Sequence, residues 1–341
     1  MKTIGVCGYV STGSSAVVDL LHEFDDAQVL DDEFRIVHFP DGLEDLQYNL
    51  KSMYSSVVAI KRFRVFSKTC LPKNIEIDNI IDNFLKQIVQ NTWYGKSNYL
   101  NFYLPSVDTY LEKIIRKTRA NKMIKGLENK FLYKIECSIM PEIFDKAAKN
   151  FVLDILGIMG MDYSHNENKV IILNQPFLAR DPIKSFKFYQ NPASIIVDRD
   201  PRDHYLFAKK FLSQKGCYAI PCDNVDDYIK HYRFVRQSSQ DLRKRKDVMF
   251  VNFEELVYDC ENATKKVVDF VGVTDRVRKG ECFKPTHSRN NTQLSKKYTE
   301  YNSDIKKIEQ ELPEYLFPFE NYPDIESEGK MFWGCQKRKI C

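Results

Sequence analysis

The sequence predicts a three-layer α/β fold, with a central parallel sheet and helices on both of its faces. Two observations carry that prediction. Apolar runs of strand length recur along the chain, with stretches of helical period between them. A glycine-framed turn joins the first run to the first helix, and α/β sheets gather their ligands at such carboxyl ends.

Residues 3–9 (TIGVCGY) read as the first strand, and 14–23 (SSAVVDLLHE) as an amphipathic helix with Val17, Leu20 and Leu21 on one face. A short strand is expected at 28–30. Another is expected at 57–60 (VVAI), running into the basic cluster Lys61-Arg62-Phe63-Arg64. From about 75 to 160 the pattern is mainly helical and rich in aromatics, with Trp93, Tyr94, Tyr99, Phe102, Tyr103 and Tyr110. Buried-type strands follow at 169–173 and 194–198, and helices fit 202–213 and 226–244. A last strand covers 248–253, a helix 261–271, and the stretch 283–300 is polar. With no internal repeat and no low-complexity linker, the expected organisation is a single α/β domain over 1–341, carrying a mainly helical insertion at about 75–160.

The 341 residues are 43% hydrophobic, enough for a large core. A net charge of +4 is small for this length and argues against a nucleic-acid partner, which calls for a concentrated basic face. The start has no signal-peptide core, and no apolar run is long enough to span a bilayer, so a cytoplasmic protein without membrane insertion is expected. Nine cysteines at irregular spacing, with no Cys-x-x-Cys, read as free thiols. Cys217 with Cys222, or Cys335 with Cys341, lacks a histidine pair at ligand spacing, so no metal is expected.

Four motifs carry chemistry. The first runs Gly8-Tyr9-Val10-Ser11-Thr12-Gly13-Ser14-Ser15, a Gly-x-x-x-x-Gly frame between strand and helix. Glycines let successive amides turn inward, and the helix N-terminus adds partial positive charge, so the loop suits a phosphate. Ser14 stands where a nucleoside triphosphatase carries lysine, which argues against ordinary ATP hydrolysis. The plainer alternative is a strand-to-helix turn with Ser14 or Ser15 as its cap.

The second motif is Asp198-Arg199-Asp200-Pro201-Arg202-Asp203 after a buried strand. Arg199 at a strand end suits a bidentate grip on phosphate, and Pro201 suits a helix start. The alternative is surface pairing of Arg199 and Arg202 with the flanking aspartates. The third, Phe253-Glu254-Glu255-Leu256-Val257 with the helix that follows it, reads as packing and capping. The fourth, from Phe283 to Thr292, is a basic loop that either lies solvated or grips an anion through Lys284, Ser288 and Arg289.

In this order, the motifs resemble those of the sulfotransferase family, which uses 3′-phosphoadenosine 5′-phosphosulfate as donor. The resemblance covers both ends of the chain and not the aromatic middle. It implies a P-loop nucleotide-hydrolase-like fold and a transferase without a metal. It also implies that Ser11, Thr12, Gly13, Ser14 and Ser15 wrap the 5′-phosphosulfate. Arg199, with Ser288 and Arg289 of the basic loop, would then hold the 3′-phosphate. Two positions depart from the family pattern. Ser11 stands where many members have lysine or arginine. Phe207 stands where many have a serine, eight residues after the arginine.

The tyrosylprotein branch of the family has a Glu-x-Arg after its first helix, and by that resemblance Glu33 is the general base and Arg35 orients the acceptor or the transferring group. A solvent-facing acidic turn is the equal alternative for this stretch. His38 is the rival base, since cytosolic members use histidine. Arg35 or a residue of Lys61–Arg64 would replace the loop lysine. The acceptor is a hydroxyl compound, with a cell-surface glycan or its precursor the leading expectation. Two other functions remain open: a small-molecule kinase with Asp198 as its magnesium carboxylate, and a non-catalytic nucleotide-binding module.

Overall fold

The protein is described from a computed structural model covering residues 1–51, 56–89, 91–95, 133–137, 141–161 and 169–332. The chain folds as two compact units, Met1–Phe34 with Met161–Cys341, and Arg35–Gly160.

The first unit is built on five parallel strands: β1 (Lys2–Gly8), β2 (Ala27–Glu33), β5 (Val170–Asn174), β6 (Pro192–Asp198) and β7 (Val248–Asn252). Their order across the sheet is β2-β5-β1-β6-β7, and every neighbouring pair is parallel. Parallel sheets survive only when both faces are covered, and β6 shows how. Ile195 and Val197 join the core formed with Val17, Leu20 and Leu21 of α1 (Ser14–Leu21), while Ile196, equally buried, points to the other face. Gly5 admits a close neighbour: a Cβ there would lie 2.3 Å from the Phe177 ring.

The helices of this unit after β5 are α6 (Ile183–Phe186), α7 (Pro201–Phe207), α8 (Val225–Gln237), α9 (Phe253–Tyr258), α10 (Cys260–Val271), α11 (Pro285–Ser288) and α12 (Asn302–Glu311). A second core joins Tyr205, Leu206 and Phe207 of α7 to Tyr228 and Tyr232 of α8 and Ile305 and Ile308 of α12. The sequence-read helix 202–213 continues past α7 as a π-turn over Ala208–Leu212 and a 3-10 turn over Ser213–Lys215. Helix α10 ends at Gly272, whose φ of 86° is the left-handed stop that glycine supplies.

The second unit contains α2 (Leu43–Lys51), α3 (Ser56–Cys70), α4 (Ile75–Ile88), the antiparallel pair β3 (Asn91–Gly95) and β4 (Tyr133–Cys137), and α5 (Pro141–Ile158). Its core is aromatic: Phe84 packs on Phe63, Phe144 and Phe151 with centroids 4.8–5.9 Å apart. Ile77, Ile81, Phe84, Leu85 and Ile88 line the buried face of α4, and the Asn74 side chain caps its start by accepting from the Glu76 amide at 2.9 Å.

Two local expectations are corrected. Residues 57–60 are helix, not strand, because Ala59, Ile60, Phe63 and Ser67 are buried at helical spacing and the four-residue apolar run belongs to that face. Such a run cannot by itself be told from a buried helix segment. Trp93 and Tyr94, read within a mainly helical stretch, lie in β3. Tyr99, Phe102, Tyr103 and Tyr110 lie outside the described residues.

Candidate active site

The loop between β1 and α1 leaves the sheet at its carboxyl edge, and both glycines have steric reasons. A Cβ at Gly8 would come within 2.3 Å of Thr12 Oγ1, and one at Gly13, where φ is 97°, within 2.4 Å of the Phe253 ring. Gly13 caps α1 and brings no side chain to its amides. Between the glycines, Val10 (φ 67°) and Ser11 (φ 54°) are both left-handed. This conformation is uncommon for any residue with a Cβ and an outlier for a β-branched one.

Several contacts hold this shape. Thr12, 1% exposed, accepts from the Tyr9 amide at 3.1 Å and donates to the Val197 carbonyl of β6 at 2.6 Å. Gln175, just past β5, donates to Ser14 Oγ at 2.8 Å. The Ser11 hydroxyl is buried and has no hydrogen-bond partner. Ser15 follows Ser14 in the first turn of α1.

Arg199 directly follows β6 and is 3% exposed. Its Nη1 donates to the Ser11 carbonyl at 3.1 Å, its Nη2 donates to the Asn291 carbonyl, and its Nε is buried without a partner. The guanidinium lies 4.7 Å from the Phe207 ring centre and 5.4 Å from that of Phe253. Phe207 therefore packs its ring against the Arg199 guanidinium. Burial lowers the Arg199 pKa, against the attraction of Asp203 and Glu254. Arg202, by contrast, pairs with Asp200 (2.7 Å) and Glu309 (3.0 Å), with the flanking aspartate as the alternative reading had it but not at the surface, since Asp200 is buried.

Asp198 is engaged elsewhere. Both its oxygens accept from Arg236 Nε at 3.0 Å, and Nη2 adds a 2.6 Å bond. Asp198, Arg199, Asp200, Arg236 and Glu254 line part of a cavity of about 340 Å³. Glu254 accepts from the Asp200 amide at 3.0 Å, while its second oxygen has no partner and burial pushes its pKa well up.

The basic loop reaches the same region. Ser288 is buried at the end of α11, and Arg289 pairs with Asp324 at 3.0 Å and donates to the Thr292 carbonyl at 3.0 Å. Asp203 of α7 accepts from the amides of Gln293 and Leu294, each at 2.7 Å. The structure thus brings Ser11, Thr12, Gly13, Ser14, Arg199 and the loop after Ser288 into one hydrogen-bonded region.

Glu33 closes β2, in the same unit. Its register partner is Asn174, whose partner on β1 is Val6, so Glu33 emerges two strands, about 10 Å, from β1 at the same edge. It is exposed, and Asn174 ties its strand down by donating to the Asp31 carbonyl at 2.8 Å. Arg35 and His38 belong to the second unit. There the Arg35 guanidinium lies 4.6 Å from the Phe39 ring centre, and His38 meets the same ring edge-on at 5.3 Å.

No family model and no curated protein matches this chain. Solved structures do. One from Alicyclobacillus acidocaldarius is 11% identical, with 91% of this chain and 95% of that one covered at a TM-score of 0.36. A domain of a Synechococcus olefin synthase is 11% identical, covering 86% and 77% at 0.35. One from Mycobacterium tuberculosis is 12% identical, covering 91% and 76% at 0.34. All three are sulfotransferases. At this level of similarity, the functional case rests on the chain's own topology and loop.

The roles of four contributors escaped the sequence reading: His204, Gln175, Asp203 and Asn291. His204, 2% exposed on α7, has its Nε2 2.9 Å from the Val10 carbonyl and its Nδ1 3.0 Å from the Tyr228 hydroxyl. Asp203 closes the arginine motif, His204 follows it and Asn291 lies in the basic loop, which are the signals that could have found them. Gln175 had no such signal.

Proposed function

We propose that the chain is a sulfotransferase, transferring the sulfuryl group of 3′-phosphoadenosine 5′-phosphosulfate to an acceptor hydroxyl in the cytoplasm. The carrying observation is the lysine-free loop at the start of α1. It has two left-handed residues, and around it the Ser11 hydroxyl and Arg199 Nε are buried without partners. Buried polar groups without partners are rare, and an anion at a helix N-terminus satisfies them.

In this scheme the loop amides with Ser14 and Ser15 hold the 5′-phosphosulfate. Arg199, Ser288 and Arg289 serve the 3′-phosphate. Glu33 takes the acceptor proton as the acceptor oxygen bonds sulfur and the bond from sulfur to the leaving phosphate oxygen breaks. Arg35 stands in for the absent loop lysine, and His38 is the rival base. The insertion at 75–160 serves the acceptor, for which a cell-surface glycan is the preferred candidate. The kinase alternative is weakened because the carboxylate it needs for magnesium, Asp198, already accepts on both oxygens from Arg236.

A thermal-shift titration tests the donor class. Adenosine 3′,5′-bisphosphate is expected to stabilise the protein without metal and more than ATP does. Stabilisation by ATP with magnesium alone would establish the kinase instead. Glu33→Gln is expected to lower turnover by at least ~100-fold with bisphosphate binding intact, and undiminished turnover would reject Glu33 as base.

A further inference from the structure

The carbonyls of Val10 and Ser11 are held by two neighbouring side chains. His204 Nε2 meets the Val10 carbonyl at 2.9 Å, and Arg199 Nη1 meets the Ser11 carbonyl at 3.1 Å. Val10 and Ser11 are also the only residues of the loop, apart from Gly13, with positive φ. Such a conformation is strained for residues with a Cβ and persists only when its surroundings impose it.

Peptide geometry gives the pairing a consequence. The loop has no cis bond, and in a planar trans peptide the carbonyl and the next amide point in opposite directions. Drawing the Val10 carbonyl onto His204 aims the Ser11 N–H away from α7. Drawing the Ser11 carbonyl onto Arg199 does the same for the Thr12 N–H. Among the described residues neither amide donates to a protein acceptor. Two adjacent outward amides at a helix start form a concavity suited to an anion.

A carbonyl only accepts, so the contact with Val10 puts the hydrogen on His204 Nε2; the Tyr228 hydroxyl lies 3.0 Å from Nδ1, and its single hydrogen also faces the Pro201 carbonyl at 2.7 Å. Burial holds the ring neutral by lowering its pKa well below the usual histidine value.

We infer that His204 is a positioning residue for the donor anion: its Nε2–H holds the Val10 carbonyl inward and so keeps the Ser11 amide facing the ligand. The inference rests on the donor assignment above, and the experiment separates the two. Gln presents an N–H near the position of histidine Nε2, whereas Asn reaches only as far as Nδ1. His204→Gln is expected to bind adenosine 3′,5′-bisphosphate within about threefold of wild type. His204→Asn is expected to bind about tenfold more weakly, the loss of one net hydrogen bond. Adding Val10→Gly to His204→Asn is expected to recover most of that loss, because glycine adopts positive φ without strain.

Binding by His204→Asn equal to wild type, or no recovery with Val10→Gly, overturns the inference. The unliganded structure of His204→Asn decides between the two failures. If wild type does not bind the bisphosphate, the donor assignment falls, yet a Val10 carbonyl turned away from α7 in this variant still supports the clamp. A Val10 carbonyl that stays inward overturns it.

Discussion

Val10, Ser11 and Thr12 are held from behind by buried groups, whereas the loop from His287 to Asn291 is held largely from its rim. Behind the first loop stand Arg199, His204 and Val197, all under 4% exposed. The second loop leans on the segment after it. Arg289 pairs with Asp324, whose side chain is 62% exposed, Asn291 Nδ2 donates to the Phe332 carbonyl at 3.0 Å, and the His287 ring lies tilted against Phe332 at 4.3 Å. Arg199 and Arg289, both assigned to the 3′-phosphate by the family resemblance, therefore differ in their partners: Arg199 meets buried carbonyls, and Arg289 also pairs with an exposed carboxylate. Burial makes an unmet partner costly, while water replaces a lost surface partner cheaply. The first loop is thereby fixed in shape; under the proposed function, the second would exchange Asp324 for a ligand phosphate.

That contrast can be broken by substitution. Arg199→Met strands the Ser11 and Asn291 carbonyls in a buried setting and is expected to cost ~2–5 kcal/mol in chemical denaturation. A cost below ~1 kcal/mol would put Arg199 on a par with the rim. Thr12→Val leaves the Tyr9 amide and Val197 carbonyl unmatched, with an expected loss of ~1–3 kcal/mol by the same measurement.

Asp203 sharpens the contrast through pH. Burial, with Asp200 beside it, pushes its carboxyl from 3.8 up to about 6. Between those values the folded protein keeps a proton that the unfolded chain has released, so this group makes stability fall as pH rises from 3.8 to about 6. Asp203→Asn is expected to flatten that part of the stability profile; an unchanged slope would mean another group sets it. The smallest effect belongs to the rim. Asp324→Asn is expected to change stability by no more than ~1 kcal/mol, and less in high salt. A larger loss would show that the second loop is as firmly built as the first.

The parallel sheet was legible because β1, β5, β6 and β7 are apolar runs covered on both faces. The frame Gly8 to Ser15 was legible because its glycine requirement is local. The run 57–60 misled because four apolar residues satisfy strand and helix alike. β3 was missed because its partner β4 lies some forty residues away, although Thr92, Trp93 and Tyr94 are strand-favouring types. Arg199 was found, but as an open phosphate grip, and its burial between two carbonyls was not visible.

The sequence by itself determined the strands of the parallel sheet and the glycine-framed turn that follows the first of them, since these follow from periodicity and from residues close in the chain. Only the tertiary structure decided what holds that turn. His204 meets Val10 across 194 positions and Gln175 meets Ser14 across 161. A hydrogen bond between such distant residues leaves no spacing to read, because it exists only after the strands that carry them have paired.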